Sequence, residues 1–121
     1  MVQDLKTRTK KFAIDCGRLC RNFPHSREYN AYVNQLIRSS SSVGANYRAS
    51  QRGKSTADFI NKLKIVEEEA DESHFFLFIL LDLYDLDDVN VKDELKRLCK
   101  EANELVAIIV ASINTAKNKL K

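Results

Sequence analysis

Cys16 and Cys20 stand four residues apart, a spacing that brings two thiols to one face of a helix. With Cys99 and either His25 or His74 they contain the ligand types of a zinc site. No close cysteine pair or spaced histidine pair accompanies them, so the thiols read as small apolar fillers of a helical core. Asp82, Asp85, Asp87 and Asp88 raise the possibility of calcium. The run lacks the evenly spaced ligands, mid-loop glycine and closing glutamate of a calcium loop, and reads instead as a solvated turn with a helix cap. Glu67, Glu68, Glu69, Asp71 and Glu72 crowd one helix without the positioned partner that acid/base work needs. The four serines from Ser39 to Ser42 lack the glycine-flanked elbow of a serine nucleophile. No glycine loop suited to phosphates occurs. The expectation is a protein with no metal, no cofactor and no catalytic centre.

The elements that carry these residues are helical. One proline and three glycines in 121 residues leave little material for hairpins. Leu5, Phe12, Cys16, Leu19 and Phe23 share a face, which predicts a helix from about Asp4 to Phe23, ended by Pro24. Ser26 is placed to cap a second helix that runs to about Arg52, with Gly53 as its stop. Its stripe is Tyr29, Val33, Leu36, Ser40, Val43 and Tyr47. Ser40 and, a turn and a half later, Asn46 are poor interior helix residues, so they imply close helix approach or specific hydrogen bonds. Ser55 with Asp58 resembles a capping box and opens a third helix to about Leu83. Its stripe is Phe59, Leu63, Val66, Ala70, Ser73 or His74, Leu77 and Leu81. Val91, Leu95, Leu98, Ala102, Leu105, Ile109, Ser112 and Ala116 define the fourth. Four long amphipathic helices with short connections predict an all-α, antiparallel up-down-up-down four-helix bundle, one domain over 1–121. The start of the chain has no apolar signal segment, and the apolar run from Phe75 to Leu81 is too short to span a bilayer. Three reduced thiols, an odd number, suit the cytoplasm.

Charge is segregated along the chain. Residues 1–66 carry thirteen Lys or Arg against four Asp or Glu, a net of +9. Residues 67–95 carry a net of −10, and residues 96–121 return to +4. Basic surface attracts polyphosphate backbones through counterion release; it also serves as solvated helix faces or complementary protein patches. Lys10, Lys11, Arg18, Arg21, Arg48, Arg52, Lys54, Lys62 and Lys64 are the candidate nucleic-acid contacts.

Antiparallel pairing of helices two and three about Gly53 sets Arg38 level with Glu69 and Gln35 level with Glu72. Arg38 is therefore expected to make a partly buried bidentate pair with a carboxylate of helix three. Such a pair specifies register more than it adds stability.

The ordered series Pro24, Gln35 to Ala49, Ser55, Asp58 to Ile60, Lys62 to Ile65 and Glu69 to Glu72 resembles the bacterial 23S rRNA intervening-sequence proteins. It is similar also to the accessory variability protein of diversity-generating retroelements. Many of these relatives carry glutamate near Ala49 or Ser50, and Tyr-Trp where this chain has Phe75 and Phe76. The resemblance implies a four-helix bundle with a structural polar motif of Gln35, Arg38, Ser42, Asn46, Glu69 and Glu72. It implies a ring-shaped homopentamer, with RNA or a reverse transcriptase as partner, and a non-enzymatic accessory role. A protein-interaction scaffold without nucleic-acid binding is the other expectation.

Overall fold

The computed structural model describes residues 4–120. Four helices follow in order: α1 (Leu5–Cys20), α2 (Arg27–Ser50), α3 (Thr56–Leu83) and α4 (Val89–Lys119). Each start is fixed by a side chain that satisfies backbone N–H groups left free in the first turn. The Asp4 carboxylate accepts from Lys6 N, Ser26 Oγ from Tyr29 N, Ser55 Oγ from Asp58 N, and Asp88 Oδ1 from Asn90 N. The first two helices are shorter than the periodicity predicts. The backbone N–H groups of 21, 22 and 23 bond three residues back, so α1 closes in a tight turn ahead of Pro24.

Gly53 ends α2 differently from the glycine stop expected. No described residue has a positive φ, and Gln51, Arg52 and Gly53 each donate to the carbonyl three residues back. The glycine matters for space. A Cβ at position 53 would lie 3.2 Å from both Phe59 N and Ser50 O. The Asp58 carboxylate bonds Lys54 N, not Ser55 N as a capping box would have it, so it braces the turn.

Cross-helix contacts set the topology. Tyr29 Oη donates to Leu83 O, while Ser39 meets Ser73, so α2 and α3 run antiparallel. Arg8 reaches Glu101 and Arg97 reaches Asp15, so α1 and α4 do too. The four helices form a closed square, each packed on two neighbours. No described helix is long and apolar enough to cross a membrane.

The core is a column of fully buried aliphatic side chains: Leu36 and Val43 from α2, Leu63, Leu77 and Leu80 from α3, and Leu95, Leu98, Leu105 and Ile109 from α4. Phe12, Cys16 and Leu19 of α1 close it. One end is sealed by Phe23, stacked on Tyr29 at 5.5 Å and edge-on to Tyr84 at 5.9 Å. The stripes hold in the middle of each helix and shift at the ends. Ile60 is buried and Phe59 only partly so, Leu80 replaces Leu81, and Ile113 replaces Ser112.

The serines divide their labour. Ser39 is wholly buried and faces α3, where Ser73 Oγ donates to its Oγ at 2.9 Å or to Glu69 O at 2.8 Å. Ser40 faces α1 beside Cys16. Gly44 lets α2 approach Thr9, whose Oγ1 is 3.4 Å from where a Cβ would stand. Small residues thus set the spacing of α2 on both sides. Ser39→Ala keeps that spacing and should cost about 1 kcal/mol or less, since Ser73 retains a backbone acceptor. Ser39→Leu forces the helices apart and should cost more, about 1–3 kcal/mol. Urea unfolding of the two variants tests the order, and equal losses would refute it. Gly53→Ala should lower the thermal midpoint, since the new methyl meets backbone that cannot yield; an unchanged or raised midpoint would refute that reading.

Candidate functional site

The nine candidate cations do not form one patch. Lys10, Arg48 and Arg52 come together with Lys6 along a groove between α1 and α2, about 560 Å3 in volume. Ala13, Gly44, Ala45 and Ala49 make its floor, and no acidic residue lines it. None of its four cations makes an ion pair with a described residue. Lys54 sits on the α2–α3 turn. Lys62 is held by Asp58 at 3.0 Å. Lys64 faces α4 beside Glu67, Glu68 and Lys117. Lys11 is paired with Asp15. Arg18 lies near Asp88 and Glu94, and Arg21 stands in the turn after α1. Lys11, Arg18 and Arg21 therefore fall outside the cluster that sequence reasoning joined them to, because α1 spreads its cations along its length and on more than one side.

Antiparallel packing converts the segregation along the chain into segregation along the bundle. The start of α1, the end of α2, the start of α3 and the end of α4 meet at one end. They bring Lys6, Lys10, Arg48, Arg52, Lys54, Lys62, Lys64, Lys117 and Lys119 there. The other end carries Asp82, Asp85, Asp87, Asp88 and Asp93, with Arg18, Arg21 and Arg27 among them. Lys117 and Lys119 belong to the basic end although they lie some fifty residues beyond Lys64 in the sequence, and only the topology assigns them to it.

The Arg38 pairing is present, but its burial is not. Arg38 Nη2 donates to Glu72 Oε1 at 2.6 Å and Nη1 to Glu69 Oε2 at 3.4 Å, while Nε donates to Gln35 Oε1 at 3.3 Å. Its side chain is 49% exposed, because position 38 lies at the outer margin of the α2–α3 seam. The fork spans two carboxylates in place of one, and water reaches it. Such a pair contributes little to stability. Asn46 Nδ2 bonds back to Ser42 O, a local bond within α2 that joins no two helices.

The stronger charge contacts close the α1–α4 seam. Arg8 Nε and Nη2 grip Glu101 at 2.8 and 2.7 Å, and Nη2 also reaches Glu104 at 2.9 Å. The Arg8 and Glu101 side chains are only 22% and 20% exposed. The hydrogen bond to Glu101 is the main force that raises the Arg8 pKa. Farther along, Arg97 joins Asp15 and Glu94. Burial alone would raise the Asp15 carboxyl, but hydrogen bonds from Lys11 and Arg97 hold it below its ordinary range. The hydrogen bond from Arg97 depresses Glu94 against its burial. No sequence signal marks the Arg8–Glu101 and Arg97–Asp15 pairs, whose partners stand 93 and 82 positions apart.

The thiols are held protonated. Burial pushes Cys16 strongly up and Cys20 up to about 11, which disfavours the thiolate that metal binding and nucleophilic attack require. Among the described residues no three His, Cys, Asp or Glu side chains converge as a metal site.

The molecule is a closed four-helix bundle with a basic end and, between α1 and α2, a groove lined by no acid. The model of the family described as 23S rRNA-intervening sequence protein matches residues 3–111, and the chain belongs to that family. A crystal structure from Bacteroides thetaiotaomicron VPI-5482, described as a protein with unknown function from the S23 ribosomal protein family, superposes with a TM-score of 0.79. It is 25% identical, over 91% of this chain and 98% of that one. No curated protein matches the chain.

Removing Arg8 leaves Glu101 half-enclosed without its partner, and Arg8→Ala should cost about 1–3 kcal/mol in chemical denaturation. Because the Asp15 and Glu94 pKa values are depressed by folding, their contribution is complete above the ordinary carboxylate range and is lost as pH falls through the folded values. The denaturation midpoint should therefore drop on acidification below about pH 4. Asp15→Asn should shrink that drop; a pH dependence identical to wild type would refute the role given to Asp15.

Proposed function

We propose that this chain is a homo-oligomeric accessory protein that binds nucleic acid, or a nucleoprotein, through the basic end of its bundle. The observation that carries this reading is the convergence of nine cations from all four helices at one end, four of them in a groove without acids. Phosphate contacts need cations that are not already neutralised within the protein. Lys6, Lys10, Arg48 and Arg52 meet that condition, whereas Arg8, Arg38 and Arg97 do not. Family membership supports a role linked to RNA. The pentamer and the reverse transcriptase that the resemblance implies belong to this proposal, as does action in the cytoplasm. Oligomerisation would repeat the basic end and turn weak single contacts into avid ones.

Binding of a structured RNA hairpin should weaken on the order of a hundredfold between about 50 and 200 mM salt, for about four phosphate contacts. Arg52→Glu combined with Lys54→Glu should flatten the logarithmic salt slope by about 2 and leave helicity intact. No complex at the lower salt would refute the proposal. The second reading, a protein-interaction scaffold, would then stand on the exposed aromatic side chains of α3.

A further inference from the structure

The four cations of the α1–α2 groove are arranged as a track. Lys6 and Lys10 stand one turn apart on α1, and Arg48 and Arg52 one turn apart on α2. The two helices run antiparallel with Gly44 against Thr9. In that register Lys10 lies nearest the middle of the bundle, Lys6 and Arg48 share a level, and Arg52 lies outermost. At 1.5 Å per residue the track is about 14 Å long. Between its two rows the floor is Ala13, Gly44, Ala45 and Ala49, which carry nothing beyond Cβ. Ser41 adds one hydroxyl, and no aromatic ring lines the groove. A second groove at the same end, formed by α4 with Phe59, has an equally small floor in Ala111 and Ala116 but a single cation, Lys119.

Packed helices stand about 8–10 Å apart, axis to axis. A duplex is wider than that spacing and carries its phosphates on a convex outer surface. It can rest on the cations of the rim, but it brings no part of itself to the floor. A single strand can do both: its phosphates reach the cations of both walls while a sugar or base edge covers the alanines. Burying that apolar floor is a gain that salt does not screen and that a duplex does not obtain. We infer that the α1–α2 groove takes a single-stranded segment of nucleic acid, with its backbone along the track, in preference to a duplex. The inference rests on the proposed function and deepens it by naming the form of the polymer. Without an aromatic platform or a set of base-reading groups, the groove accepts any sequence.

The probes are an oligouridine of about twelve nucleotides, within the usual span of single-strand sites, and a blunt RNA duplex of equal length. At about 50 mM salt the full chain should bind the oligouridine at least about tenfold more tightly than the duplex, with a logarithmic salt slope of about −3 for four phosphates on a single strand. Ala45→Leu fills the floor and leaves every cation in place. It should weaken oligouridine binding about tenfold with the slope unchanged, since the lost contact is apolar, and leave duplex binding as it was. Ala111→Leu, the same change in the second groove, should alter neither. If Ala45→Leu loses its helical circular dichroism, Ser41→Leu takes its place. Equal or tighter binding of the duplex, a floor variant that binds oligouridine as well as wild type, or one that loses both probes equally would overturn the inference and leave the proposed function standing. No complex with either probe at the lower salt would overturn both.

Discussion

The bundle depends on one constraint: four helices must empty a single central column of water, and they do so only at a fixed separation. Leu36, Leu63, Leu77, Leu98, Leu105 and Ile109 have no exposed surface, so any widening of the square opens a void among them. Small residues at the seams supply the separation. Ser39 and Ser73 touch between α2 and α3, and Gly44 lies against Thr9 between α1 and α2. The hydroxyls at these positions find backbone or hydroxyl partners, so closeness is reached without stranding a buried polar atom. The α1–α4 seam is the complement. There the long side chains of Arg8 and Arg97 bridge the helices, and their charged groups lie at the margin where water can still reach them.

Much of this fold was legible in the sequence, because an apolar stripe and a capping residue are local features. Ser26 and Ser55 mark the starts of α2 and α3, and the middle of every stripe is buried as its spacing implies. The ends were misread for a geometric reason. Alternating four-three steps average 3.5 residues per turn, while a straight helix has 3.6, so a strict stripe drifts about 20° per heptad away from the core. On α4 that drift exchanges Ser112 for Ile113, whereas on α3 the buried Ile60 and Leu80 lie inside the expected Phe59 and Leu81, a shift in the opposite sense that follows α3's two neighbours, α2 and α4. Ser39 lies one position from the stripe because α2 packs on two neighbours, meeting α3 through Ser39 and α1 through Ser40.

The candidate site was legible in content and not in grouping. Charge counts along the chain mark basic and acidic segments, but a helix distributes its charges around and along its axis. Lys10 and Lys11 are adjacent in sequence, yet one enters a groove with Arg48 while the other pairs with Asp15. Arg38 shows the converse. Its partners followed from antiparallel register alone, whereas its exposure depended on the angle at which position 38 leaves the seam, which register does not determine.

The separation of charge along the bundle has a consequence for how the molecule behaves at a distance. The longest helix, α4, has 31 residues and spans about 47 Å. That is several times the screening length of about 8 Å at physiological ionic strength. In salt the two ends are electrically deaf to one another, and the acidic end does not cancel the attraction of the basic one. The formal net charge of +3 therefore describes no surface that an approaching molecule meets. A charged molecule that comes within a screening length of one end meets the charge of that end alone.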